Sequence, residues 1–121
     1  MLATERTAQM ARDWIDSWNS NDLDAILSHY TEDVEFTSPF AVKLMGDSSG
    51  TIKGKEKLRE YFGRGLKAYP GLRFEPLQVL TGVNSLTIYY RSVKWMLAAE
   101  VMFPGDDGRI ERVFAHYARA T

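Results

Sequence analysis

The spacing of the apolar residues changes at Gly71, and this change constrains the chain more than any other feature. Upstream, Ala11, Trp14, Ile15 and Trp18 fall at i, i+3, i+4 and i+7, opposite Arg12, Asp13 and Asp16. That stripe predicts an amphipathic helix from Thr4 to near Asn19. Asn21 or Asp22 can cap a short second helix, "LDAILSHY". Leu58, Tyr61, Phe62, Gly65, Leu66 and Tyr69 predict a third helix, ended by Pro70 and Gly71. Downstream, "LRFEPLQVLTG", "SLTIYYRSV", "WMLAAEVMF" and "RIERVFAHYA" are rich in β-branched and aromatic residues and are separated by turn signals. They predict a four-stranded antiparallel meander. One further strand, "DVEFTSPF", alternates Val34, Phe36 and Ser38 against Glu35 and Thr37 and is stopped by Pro39. Residues Ala41 to Lys53, with "MGDSSGT", read as a loop able to cover an opening. With no internal repeat and no linker, the order predicts a single α+β domain over residues 1–121, its helices on one face of a curved sheet.

A chain of 121 residues buries roughly two-thirds of its unfolded surface, enough for one core with a cavity. Fifteen Lys and Arg against sixteen Asp and Glu, without runs, leave no electrostatic footprint for nucleic acid or an anionic membrane. The lack of cysteine excludes disulfides, thiolate nucleophiles and cysteine metal sites. The polar start "MLATERTAQMARDW" has no apolar leader, so the expected location is the cytoplasm, with no membrane span. The two histidines lie far apart and Asp106-Asp107 read as turn residues, so no metal is expected. "GKEKLRE" lacks the spacing of a phosphate-binding loop, and no other cofactor is implied.

The terminal hairpin places one acid where few occur. If "PGDDGR" closes it with Phe103 facing Ile110, Glu100 pairs with Val113, Ala98 with Ala115 and Met96 with Tyr117. Glu100 then shares a face with Met102, Val113, Ala115 and Tyr117, and the other face carries Leu97, Ala99, Val101, Phe103, Ile110, Phe114 and His116. Both faces are apolar; helices cover one, and a second copy of the chain is the expected cover of the outer one, a homodimer. On the inner face a carboxylate is desolvated, which disfavours its charged form. A two-residue turn at Val93-Lys94 turns Thr87, Tyr89 and Arg91 toward Glu100, and a three-residue turn presents Leu86, Ile88 and Tyr90 instead; the first is favoured. Glu100 is then either paired with Arg91 or a pocket carboxylate with a chemical role. His116 falls on the outer face, and His29 suits the C-terminal end of its helix. Trp14, Trp18, Tyr61, Phe62, Tyr89 and Tyr117 read singly as core and together as the wall of a pocket for a hydrophobic small molecule.

"WIDSWNSNDLDAILSHYTEDVEFTSPF", "GKEKLREYFGRGL" and "AAEVMFPGDDGRIERVFAHY" together resemble the nuclear transport factor 2-like superfamily, in its SnoaL-like branch with polyketide cyclases, ketosteroid isomerase and limonene epoxide hydrolase. The resemblance implies a cone of curved antiparallel sheet around a pocket, with three helices from the N-terminal half on the concave face. Ketosteroid isomerase uses an Asp base together with a Tyr and a protonated Asp that donate to the oxyanion. Those positions fall on Ser38, Trp14 and Glu100, so only the acid donor persists and the isomerase reaction is not expected. Limonene epoxide hydrolase uses an Asp-Arg-Asp set, of which an Arg91-Glu100 pair is a partial echo. SnoaL-like cyclases need mainly one acid-base carboxylate, which Glu100 supplies. The implied site has Glu100 as its catalytic residue. Its substrate contacts come from Trp14, Trp18 and Phe62 on helices, from Phe36 and Ser38 on the first strand, and from Tyr89, Arg91, Met102, Val113 and Tyr117 on the meander. The expected function is cofactor-free cyclase, isomerase or hydrolase chemistry on a hydrophobic substrate; the alternative is a non-catalytic binding or dimerisation module of the same fold.

Overall fold

Six strands form one open mixed sheet in the computed structural model, which describes residues 1–119. The chain runs α1 (Thr4–Asn19), α2 (Leu23–Leu27), β1 (Tyr30–Thr37), α3 (Pro39–Met45), β2 (Thr51–Lys53), α4 (Lys55–Ala68), then β3 (Glu75–Thr81), β4 (Leu86–Arg91), β5 (Leu97–Pro104) and β6 (Ile110–Tyr117). The sheet order is β2-β1-β6-β5-β4-β3. The expected meander is present, and all neighbours pair antiparallel except β1 and β6, which run parallel. No helix among the described residues is long and apolar enough to cross a membrane.

Side chains cap the starts of α2 and α3. Asp22 accepts from the amides of Asp24 and Ala25 and so caps α2, which stops at Leu27 because Tyr30 already begins β1. The segment expected to be a loop over Ala41–Lys53 is mostly regular. Ser38 accepts from the Phe40 amide, Pro39 sits in the first turn, and Gly46 ends α3 with φ 67°. Only residues 46–50 remain loop, since Thr51–Lys53 pair with β1 as an edge strand. Between α1 and α2, Asn19 clamps Phe74, accepting from its amide at 2.6 Å and donating to its carbonyl at 3.0 Å. Asn21 donates to the Leu72 carbonyl at 2.9 Å. The residues that break the first helix thus hold the segment entering β3.

Two registers differ from the sequence expectation. In the β5–β6 hairpin Ala98 pairs with Tyr117, Glu100 with Ala115 and Met102 with Val113, two positions from the expected pairing. A bulge between Phe103 and Pro104 absorbs the difference, because Pro104 has no N–H for the ladder. A shift of two keeps every side chain on its face, so Glu100, Met102, Val113, Ala115 and Tyr117 stay together. Beyond the bulge the faces exchange, and Ile110, expected outside, is buried. In the β4–β5 connection three residues, Val93 to Trp95, form the turn, and the Ser92 amide donates to the Met96 carbonyl at 2.6 Å. Ile88 therefore pairs with Glu100 and Tyr90 with Ala98. Tyr89 and Arg91 point to the outer face, opposite to expectation. Arg91 donates instead to the Trp95 carbonyl.

The core lies between the inner sheet face and the helices, with Trp14, Ile26, Leu58, Ile88 and Val113 almost wholly buried. On the outer face Phe114 is partly exposed, and the Arg112 guanidinium lies over the Phe103 and Phe114 rings at 4.5 and 5.7 Å. Part of this face is thus covered within the chain.

Candidate functional site

Between the inner sheet face, α3 and the C-terminal end of α4 lies a cavity of about 500 Å³. Aromatic rings form its wall. Trp18 meets Phe62 and Phe74 at 4.8 and 5.3 Å between ring centres, and Phe36 meets Phe62 edge-on at 5.2 Å. Such edge-to-face contacts fix ring orientation beyond what area burial alone would do. Phe40, from α3, packs edge-on against Tyr117 at 4.6 Å.

Glu100 lines this cavity from the middle of β5, between β4 and β6. The small side chains of Ala98 and Ala115 flank it, which leaves room above the carboxyl. It is 3% exposed. The Tyr90 hydroxyl donates to Oε1 at 2.9 Å, and Oε2 has no hydrogen-bond partner among the described residues. Burial pushes the Glu100 carboxyl up to about 8, against the smaller opposing effect of the Tyr90 hydrogen bond. Among the described residues no cation offsets the burial: Arg91, the expected partner, faces away.

Phenols surround the carboxyl. Tyr90 and Tyr117 line the cavity with it, and burial raises both hydroxyls well above their ordinary value, with the Glu100 charge adding to the effect. Tyr61, pushed up to about 12 by burial, donates to Ser38 Oγ at 3.2 Å. All of these phenols stay protonated at neutral pH and orient by hydrogen bonds without giving up their protons. The Trp18 indole N–H leans toward the Tyr30 hydroxyl without completing a hydrogen bond, and with Glu100 Oε2 it is one of two buried side-chain polar atoms lacking a partner among the described residues. Glu100 belongs to the cavity wall, where a bound molecule would satisfy its free oxygen.

Of the residues expected at the site, Glu100, Trp18, Phe36, Phe62 and Tyr117 line the cavity. Met102 and Val113 are buried on the same sheet face beneath it. Trp14 lies behind the wall, where its indole donates to the Tyr30 hydroxyl at 2.9 Å. Ser38 is buried as the cap of α3 and the acceptor of Tyr61. Tyr89 and Arg91 are excluded by the β4 register. Tyr90 comes from the less favoured three-residue turn, and Phe74, placed by the Asn19 clamp, has no signal in the sequence reading. His116 is exposed on the outer face, as its alternation with Tyr117 requires. His29 shares a hydrogen bond with Ser17 at 2.8 Å, and burial lowers its basicity despite Asp13 nearby, so a helix-end charge does not describe it.

The SnoaL-like domain profile matches residues 11–119. The chain belongs to the SnoaL-like family. Among solved structures, this SnoaL-like protein is 44% identical to a SnoaL-like protein of unknown function from Burkholderia thailandensis, covering 97% of this chain and 98% of that one with a TM-score of 0.94. It is similar at 15% identity to a proposed polyketide cyclase from Sinorhizobium meliloti, over 95% of this chain and 100% of that one, with a TM-score of 0.73. At 17% identity it is similar to SalBIII, an epoxide hydrolase/cyclase-like enzyme of pyran ring formation in the polyether salinomycin, over 98% and 95% of the two chains with a TM-score of 0.72. The last two likenesses establish the shared fold. No curated protein matches the chain.

The Tyr90 contact can be tested by itself. Tyr90→Phe removes the one donor to Glu100, a bond that favours the ionised form, so the protonation midpoint of Glu100 is expected to rise above about 8. Carboxyl carbon NMR of glutamate-labelled protein reads the midpoint directly. A midpoint unmoved or lowered by the substitution contradicts the assignment.

Proposed function

We propose that this SnoaL-like protein is a cofactor-free acid-base enzyme in which Glu100 moves a proton on an apolar, oxygen-bearing substrate held in the aromatic cavity. One observation carries the reading: a buried carboxyl on the cavity wall with one oxygen fixed by Tyr90 and the other unpartnered. A carboxyl held at about 8 is mostly protonated at neutral pH yet retains an ionised fraction. It can therefore donate from Oε2 to a carbonyl oxygen and, once ionised, accept a proton from carbon. Proton transfer is most efficient when the group titrates near the working pH. A substrate that brings its own acidic hydrogen and its own electrophile needs no second protein base. Isomerisation or ring closure within one molecule has this form, and the hydrolase/cyclase-like and cyclase descriptions of the similar folds agree with it.

The second reading is a ligand-binding module with the same cavity. Ser38 favours it, because a capping serine stands where ketosteroid isomerase has its base. Hydrogen exchange separates the two. 2-Tetralone, an apolar bicyclic ketone with acidified benzylic hydrogens, is incubated with the protein in deuterated water and followed by NMR. Exchange above the buffer rate is expected, falling about a hundredfold or more in Glu100→Gln. It is also expected to vanish in Gly65→Trp, since a Cβ at Gly65, on the cavity wall, meets nothing within 4 Å and a ring built from it fills the space. Exchange that survives Glu100→Gln at the wild-type rate refutes the enzymatic reading.

A further inference from the structure

Charge is distributed unevenly around the cavity. The chain carries 16 acidic and 15 basic residues, yet the cavity wall has one acid, Glu100, against three cations, Lys43, Lys94 and Arg119. The acid is buried and the cations are exposed, so the cations mark the rim. They come from three separate places: Lys43 from α3, Lys94 from the β4–β5 turn, and Arg119 from beyond β6. Among the described residues none of the three forms a salt bridge, whereas Lys55, Arg59, Arg64 and Arg109 all do. Lys43 and Lys94 stand instead over rings of the cavity wall, Phe40 at 5.6 Å and Tyr69 at 5.8 Å.

The backbone adds an independent reason. Lys94 and Trp95 have φ of 54° and 62°, in the left-handed region that glycine occupies without strain. Each side chain there crowds its own following carbonyl oxygen. A turn held in this shape presents the Lys94 ammonium at the rim, and strained non-glycine residues of this kind gather at ligand sites.

We infer that the cavity takes an amphipathic ligand, with an apolar ring body against the aromatic wall and a carboxylate or phosphate group at the rim held by Lys43, Lys94 and Arg119. The inference rests on the cavity being a ligand site, as proposed above. It adds polarity to that site: the anionic end lies at the mouth and the reacting oxygen faces Glu100. Long-range attraction toward the rim also raises the rate of capture, and salt weakens it.

The test compares two fluorescent probes with the same rings, anilinonaphthalene sulfonate and neutral phenylnaphthylamine. The sulfonate is expected to bind about tenfold more tightly or better, as a charge-assisted contact allows, and to lose this advantage in the Lys43→Gln/Lys94→Gln double variant and in high salt. Phenylnaphthylamine is expected to bind wild type and double variant alike, and Gly65→Trp to exclude both probes. Competition then assigns the group: naphthoate displacing the probe better than naphthyl phosphate indicates a carboxylate, and the reverse a phosphate. Neither doing better than methyl naphthoate overturns the inference. If phenylnaphthylamine binds and is blocked by Gly65→Trp while the sulfonate gains nothing, the anionic rim is refuted and the cavity reading stands. If Gly65→Trp blocks neither probe, or neither binds wild type, both fall.

Discussion

Raising the pH from 5 to 8 is expected to remove several kcal/mol of folding stability from the wild-type protein, and Glu100→Gln is expected to abolish most of that loss. The unfolded carboxyl titrates at 4.5 and the folded one at about 8. Between these values the folded chain keeps a proton that the unfolded chain has released, so stability falls as pH rises. The contribution is fully present below 4.5 and lost by the time pH has passed through 8. At 1.36 kcal/mol per unit, the interval corresponds to about 5 kcal/mol, a large part of the 5–15 kcal/mol typical of a whole domain. Glutamine cannot ionise, but its amide places two donors where Oε2 had no partner, at a cost of about 1–3 kcal/mol. The curves should therefore cross: the variant is less stable at pH 5 and more stable at pH 8. His29 works in the opposite sense, since burial lowers its basicity and its contribution grows as pH rises. Comparing the two proteins at each pH removes that term, and urea midpoints at pH 5, 6, 7 and 8 supply the comparison. Parallel curves would show that Glu100 does not titrate in this range.

A buried acid of this kind is destabilising at the pH where it is useful. Tyr90 supplies one hydrogen bond and, among the described residues, nothing supplies a charge, so the fold tolerates the group without neutralising it. That combination supports the proton-transfer role proposed for Glu100; an ion pair in the same place would make it inert at neutral pH.

How far the sequence revealed this can be argued residue by residue. The face carrying Glu100 followed from alternation alone, and it survived a wrong pairing because the error was two residues and the pleat repeats every two. The partner strand was misassigned because its turn was short by one residue, and an odd error turns every side chain over. Tyr89 and Arg91 were thereby exchanged for Tyr90, and an ion pair for a phenol. No turn chemistry in "SVKWM" signals two left-handed residues, since neither Lys94 nor Trp95 is a residue that favours them. The α3 helix was different: Ser38, Pro39 and Gly46 are ordinary start and stop signals, obscured by reading the proline only as the end of a strand. The rim cations could not be read from sequence, because they converge from segments far apart in the chain.

Trp14 shows how pocket and core separate, and its removal should have the largest effect on stability of any single side chain considered. It is 2% exposed, with ring centres of Trp18, Phe74 and Tyr90 at 6.1, 5.8 and 5.3 Å. Trp14→Ala removes the ring that supports three wall residues from behind and leaves the buried Tyr30 hydroxyl without its donor. Truncation of a buried tryptophan costs about 3–5 kcal/mol, and the orphaned hydroxyl adds to that. The melting temperature is expected to fall by about 10–20 °C, read by calorimetry beside urea midpoints. Trp14→Phe keeps most of the volume and deletes the N–H, so it should cost about 1–3 kcal/mol. Because Trp14 lies behind the wall, phenylnaphthylamine affinity should be unchanged in Trp14→Phe while stability drops. A wall residue would show the reverse, with affinity falling and stability kept. If Trp14→Phe weakens probe binding at unchanged stability, Trp14 belongs to the pocket, as the resemblance to ketosteroid isomerase implied; if stability alone falls, the indole serves Tyr30 and the substrate meets only the rings in front of it.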